Sequence, residues 1–230
     1  MQCYKKAQVQ KIFLSSLIST VLFLSCKDWS RNYKVPDKDN LNKGSIDTSL
    51  TNSSSYKLEQ KTLAEIRKLT KELSLYDLKN ETIDYELRAW KMRTYEPSIL
   101  YVLKCSDSIW TLRHYQYYHR SENFDDSPPI IDSVIMETVK PQKMAWSNYI
   151  KQLNLDSIWN LKTESAIKGK SFEVLDGWIW LLEISNKKDY KYFYYTVPEF
   201  FKDKDINHKN FTDFIKRLIE PIIYNGMINP

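Results

Sequence analysis

The side chains able to do chemistry are few and scattered. His114 and His119 stand five apart in a strand-like run, so an extended chain turns them to opposite faces. His208 is alone near the last helical segment, and Cys105 adds no recognised spacing to His114. A zinc site needs three or four converging ligands, so no metal is expected. Asp125, Asp126, Glu173, Asp176 and Glu183 are the carboxylates from which a hydrolase would pair an acid with a base. Asp176 also reads as the first residue of an Asp-Gly turn with Gly177. Glu183 lies in an apolar run, alternating against Trp178, Trp180 and Leu182; it either meets solvent or is a buried acid with a raised pKa. No Gly-x-Ser-x-Gly elbow is present, while a Ser-His-Asp triad is left open because its members need not be neighbours. The four glycines, Gly44, Gly169, Gly177 and Gly226, cannot write a phosphate-binding loop, so no nucleotide cofactor is expected.

Aromatic residues are the one compositional excess, with 7 Trp, 16 Tyr and 9 Phe. Trp178, Trp180 and Leu182 share one face of a strand, and Tyr190, Tyr192 and Tyr194 form a second row on its hairpin partner. Such rows pack across strands beneath helices, or else offer a flat platform to a sugar ring or a partner's side chain. Trp178, Trp180, Tyr192 and Tyr194 are therefore the candidate binding residues.

The elements that must position these groups follow from periodicity. Leu58, Thr62, Ile66, Leu69, Leu73 and Tyr76 recur at helical steps and predict an amphipathic helix over 57–75. Strand-like runs follow at 84–93, 98–104, 109–118 and 130–140, with a hairpin turn at Cys105–Ser108 and a polar loop at 119–129. Pro141 suits the first turn of a helix over 142–154, whose inward face is Trp146, Tyr149, Ile150 and Leu153. Strands over 178–184 and 190–197 come next, then a helix over 208–220 that Pro221 should end or bend. Runs of strands and separate helices, without β-α-β alternation, predict an α+β domain: a mostly antiparallel sheet of about six strands covered by two or three helices.

Lys5, Lys6 and Lys11 precede an apolar segment, 12–25, that is too short to cross a bilayer and fits the middle of an export signal. A small residue, Ser25, stands before Cys26, and a polar stretch follows. This arrangement resembles the lipobox of bacterial lipoproteins, with Phe23 where leucine is usual. The resemblance implies removal of residues 1–25, lipid on Cys26, and residence in the cell envelope, anchored to the outer membrane and facing the periplasm or the cell surface. Residues 26–55, rich in Lys, Asp, Asn and Ser, would then be a lipidated N-terminus with a flexible tether, and 56–230 a single domain. Cys3 would leave with the leader, so Cys105 would be the one thiol of the mature chain. Losing three lysines and no acid lowers the net charge from +5 to +2, too balanced for a nucleic-acid partner.

Asp176-Gly177, Glu183-Ile184-Ser185, Tyr192-x-Tyr194-Tyr195 and Pro198-Glu199, with the closing helix, resemble small bacterial envelope lipoproteins over 140–220. That family carries no activity to transfer. The expectation is a non-enzymatic binding domain on a membrane tether, with an envelope protein or a glycan as partner. The alternatives are an envelope hydrolase using carboxylates near 173–183 and a glycan-binding module.

Overall fold

A computed structural model describes residues 54–79, 83–93, 96–120, 130–142, 144–167 and 177–222. The leader, Cys26, most of the tether, and Asp125, Asp126, Glu173 and Asp176 lie outside these residues. The chain divides into two compact units, Met1–Ser45 with Asp107–Ile109, and Ile46–Ser106 with Trp110–Pro230. Of the first unit only Asp107–Ile109 is described: Asp107 and Ser108 both take positive φ, as a two-residue type I′ turn requires. The second unit holds the fold.

The second unit is α+β. Helix α1 (Ser54–Glu72) leads into a meander of β1 (Tyr85–Met92), β2 (Ser98–Ser106), β3 (Ile109–Arg120) and β4 (Ile130–Val139). Helix α2 (Trp146–Leu153), the single turn α3 (Leu155–Ile158) and a 3-10 turn at Glu164–Ala166 intervene. A hairpin of β5 (Ile179–Asn186) and β6 (Tyr190–Thr196) follows, then the short α4 (Pro198–Phe201) and α5 (Ile206–Ile219). The sheet order is β4-β3-β2-β1-β5-β6, with β5 returning antiparallel to β1. The returning hairpin therefore leaves β1 central, with Leu87, Ala89 and Trp90 fully buried.

Residues of β1 separate by parity. Trp90 and Met92, with Leu100, Val102, Tyr115, Tyr117 and Leu181, pack under Leu63, Ile66 and Leu69 of α1. On the opposite face Phe211 of α5 covers Trp180 and Tyr195, with ring centroids 6.5 and 4.3 Å away. Tyr149 of α2 joins that layer by donating to the Leu218 carbonyl at 2.7 Å. Helices thus cover both faces, and burial of this apolar surface, about 25 cal/mol per Å2, stabilises the unit.

Several local expectations need correction. Helix α1 starts at Ser54, inside the segment assigned to the tether, and its inward face begins with Glu59; Leu58 is 46% exposed. The helix stops at Glu72 because Ser74 takes a positive φ and Leu75 N–H reaches back to the Thr70 carbonyl at 2.8 Å. That is a Schellman stop with serine at the usual glycine position. Pro141 does not open α2; it pairs with Ile222 in an isolated bridge, and the helix begins at Trp146.

Candidate functional site

Alternation along β1 places Glu86, Arg88 and Trp90 on the α1 side of the sheet, and register sets Arg88 opposite Glu183 of β5. These polar groups are sealed: Arg88 is 0% and Glu183 5% exposed. Arg88 Nε donates to Glu86 Oε1 at 2.8 Å, and Nη1 donates to the Tyr76 carbonyl at 2.8 Å. The Tyr76 hydroxyl donates to Glu86 Oε2, and Lys104 Nζ lies 4.0 Å from the same oxygen. Both oxygens of Glu183 are taken, one by Trp90 Nε1 and one by the Tyr190 hydroxyl, each at 2.9 Å. Ser185 closes the row by donating to the Leu78 carbonyl at 3.2 Å.

Glu86 therefore binds the guanidinium directly, and Glu183, opposite it in the register, feels its charge within a buried site. Burial pushes the pKa of Glu183 up, against the pull of Arg88 and of its two donors. Burial also raises Glu86, again opposed first by the charge of Arg88. A raised carboxyl is what a general acid needs, but here both oxygens already accept internal hydrogen bonds. The network fastens β1, β5 and β6 to the segment after α1, whose Schellman stop turns Tyr76 over the sheet.

A second buried group sits on the α5 side. Asp205 caps α5, accepting from Asn207 N–H at 2.8 Å and His208 N–H at 3.2 Å. The His208 ring lies between carboxylates, with Nδ1 3.2 Å from Asp205 Oδ1 and Nε2 3.4 Å from Glu164 Oε2. Tyr195 and Phe201 enclose it, with ring centroids 5.0 and 5.4 Å away. Glu164 Oε2 also accepts Thr196 N–H at 2.7 Å, and Thr163 Oγ1 accepts Tyr194 N–H at 3.0 Å. Side chains from the 3-10 turn and the residue before it thereby occupy alternate backbone donors along β6, which seals that edge of the sheet.

The aromatic rows do not form an exposed platform, nor do they share a face. In the β5–β6 register Trp180 stands opposite Tyr195 and Leu182 opposite Phe193, whereas Tyr192 and Tyr194 stand opposite Glu183 and Leu181 on the other side. Asn186 sets this register, because its side-chain oxygen accepts from Lys188 and Asp189 N–H at 2.9 and 2.8 Å and fixes the turn. Trp180 and Tyr194 are buried. Tyr192 is half-buried, packs against the α1 core and accepts from Gln60 at 3.0 Å. Its phenol, like that of Tyr194, is pushed up to about 12, first by burial. Trp178 is half-buried; its Nε1 donates to Glu199 at 3.1 Å and Lys91 Nζ lies 4.8 Å from its ring centroid. Burial lowers the pKa of Lys91, with Arg93 adding to the effect.

The other end of the sheet differs. Among the described residues no strand lies beyond β4. Val134, Ile135 and Met136 are about half exposed, at 48, 47 and 51%. Their alternation sends apolar side chains to both faces, since Tyr117 opposes Val134, Gln116 opposes Ile135 and Tyr115 opposes Met136. A bulge at Tyr118/His119 ends the regular register.

The remaining candidates are dispersed. His114 pairs with Glu137 at 3.1 Å and stacks near Tyr101; burial lowers its pKa against the pull of Glu137. Cys105 is a buried thiol. Among the described residues no three His, Cys, Asp or Glu side chains gather as a metal site would require, and no helix is long and apolar enough to cross a membrane. The sequence reading did not single out Glu86, Arg88, Glu164 or Asp205. Same-face spacing of Glu86, Arg88 and Trp90 was the available signal for the first two. Compared with protein-family models, curated proteins and solved structures, the chain matches none. The class that the fold defines is an α+β domain built on an open, antiparallel six-stranded sheet.

Proposed function

We propose that this chain is a lipid-anchored protein of the bacterial envelope whose domain binds another protein through the edge strand β4 and performs no catalysis. The exposed Val134-Ile135-Met136 strip on an outermost strand carries the reading. Edge strands present unpaired backbone groups, and proteins usually blunt them with proline, lysine or a covering segment. The β6 edge has such a cover; β4 contains neither proline nor lysine, and its bulge at Asp132 lies outside the Val134–Met136 strip. Addition of a partner strand would satisfy the backbone while its side chains meet the apolar strip.

The anchor rests on Lys5, Lys6, Lys11, the apolar run 12–25 and Ser25-Cys26. One acyl chain holds a protein only reversibly, whereas two or more make attachment durable. A coil over 27–53 would reach roughly 30 Å, enough to hold a domain clear of lipid head groups. The hydrolase alternative draws on Glu183, but the engagement of both its oxygens favours a fastening role. The glycan alternative needs exposed aromatic faces, and Trp180 and Tyr194 are buried.

The test combines Cys26→Ala and Ile135→Lys in the producing cell. Cys26→Ala should leave the protein unprocessed or release it from membranes. Ile135→Lys should keep it on membranes yet abolish its cross-links to protein in the envelope, whether a copy of itself or another chain. A Cys26→Ala protein of unchanged mature mass that still fractionates with membranes refutes the anchor. Unchanged cross-links in Ile135→Lys refute the edge.

A further inference from the structure

We infer that the partner of β4 is β4 of a second copy, paired antiparallel about a two-fold axis through Ile135; this deepens the edge-binding reading and rests on it. The strand is self-complementary in that register. Ile135 meets Ile135, Val134 meets Met136 and Ser133 meets Glu137. Apolar residues face apolar ones, and no carboxylate opposes another. Neighbouring registers fail on geometry or polarity. A register that sets Val134 against Ile135 is excluded, because opposed residues share a face and a two-fold normal to the sheet keeps each face on its own side. Moving the axis onto Val134 sets Ser133 against Ile135, and moving it onto Met136 sets Glu137 against Ile135.

The charges that remain are already managed within each copy. Glu137 is held by His114 at 3.1 Å, so it brings a paired carboxylate to the seam. The bulge opposite Tyr118/His119 makes Asp132 the extra residue of β4, so the stretch that is regular for pairing is Ser133–Thr138. Direct opposition across an antiparallel pair sets Cβ atoms about 4.5–5.5 Å apart, so the two Ile135 side chains touch on the axis. The joined edges make one continuous sheet through both copies, with no open strand between them. A contact this narrow falls short of the about 800 Å2 per partner of a stable interface, so the dissociation constant is expected on the order of micromolar. Confinement of two anchored copies to one membrane raises their effective concentration and favours pairing there.

Full-length chain in detergent, carrying Ile135→Cys, tests the register under mild oxidation. The expected result is conversion of most of the chain to a reducible dimer, well above the wild-type background from Cys3, Cys26 and Cys105. Thr138→Cys, exposed but several residues from its symmetry mate in this register, should stay at background. Sedimentation of the wild type should show a reversible dimer that Ile135→Lys converts to monomer. Equal, background-level cross-linking of the two cysteine variants, or a wild type monomeric at every concentration reached, overturns the pairing. If the wild type is monomeric and Ile135→Lys still loses its envelope cross-links, the edge survives and the second copy does not. If it keeps those cross-links as well, both readings fall.

Discussion

Removing the guanidinium at the centre of the buried network is the sharpest perturbation the fold offers. Arg88→Met preserves most of the side-chain volume but deletes the donors to Glu86 and to the Tyr76 carbonyl. Glu86 and Glu183 then remain buried without the positive charge that both feel. Breaking a buried ion pair from one side costs about 3–5 kcal/mol, mostly through the charge left uncompensated. A domain with roughly 5–15 kcal/mol of stability survives that loss in a weakened form. Urea unfolding followed by tryptophan fluorescence is the assay, because Trp90 belongs to the network. A loss below about 1 kcal/mol at neutral pH would place Arg88 outside the balance of these carboxylates.

The pH dependence makes the same test independent of packing losses. Glu86 and Glu183 already have raised pKa values in the folded state, so folding takes up protons as pH rises above the ordinary carboxylate value of 4.5. Their contribution to stability is fully present below that value and is lost as pH climbs through the folded pKa. Deleting Arg88 removes the largest force holding both values down, so the window widens upward. With two protons at stake the slope approaches about 2.7 kcal/mol per pH unit at its steepest. The variant should therefore recover stability on acidification from neutral pH more steeply than the wild type. The comparison matters because His114, lowered by burial, contributes with the opposite sign: its stability is present above the ordinary histidine value of 6.5 and lost as pH falls through the folded pKa. Equal slopes in the two proteins would refute the account in which both carboxylates feel Arg88.

Two smaller tests address how the frame is built. Glu164→Ala removes the acceptor of Thr196 N–H and should cost about 1–3 kcal/mol in urea unfolding, with faster aggregation on heating as the β6 edge opens; an unchanged midpoint and unchanged aggregation would show that the edge is covered by other means. Ser74→Gly should stabilise by roughly 0.5–1 kcal/mol, because glycine accepts the positive φ at the end of α1 without a Cβ penalty, and a lower midpoint would refute the Schellman reading of that stop.

The elements were legible in the sequence wherever the signal was periodic and local. Helical spacing along α1 and α5, and the paired strand runs of the meander, needed only neighbours a few residues apart to be read. The network was not legible in that way. Glu86 and Arg88 share a face with Trp90, yet a strand half-exposed to water shows the same alternation. What buries them is Glu183, reached from Trp90 across 93 residues, and the Tyr76–Leu78 segment turned over them by the stop at Ser74. The aromatic rows failed for a related reason. A period of two fixes which residues of one strand share a face, but the register between strands decides whether two rows meet. Here an Asn186-centred turn pairs Ser185 with Tyr190, which sends the tryptophan row and the tyrosine row to opposite sides.

The same dependence on register bears on function. At β6 the chain provides its own covering residues, and Glu164 serves both Thr196 N–H and the His208 ring, so sealing that edge and seating α5 are one construction. At β4 the outermost strand instead carries three consecutive half-exposed apolar residues. A strip of this kind raises the risk of indiscriminate pairing unless its complement is selective. In the proposed pairing, selectivity comes from Glu137, which tolerates an opposing strand only where a polar residue falls across from it, and from the bulge at Asp132, which ends the regular ladder. The strand thereby carries both the attraction and the filter, and its own sequence satisfies the filter in one register.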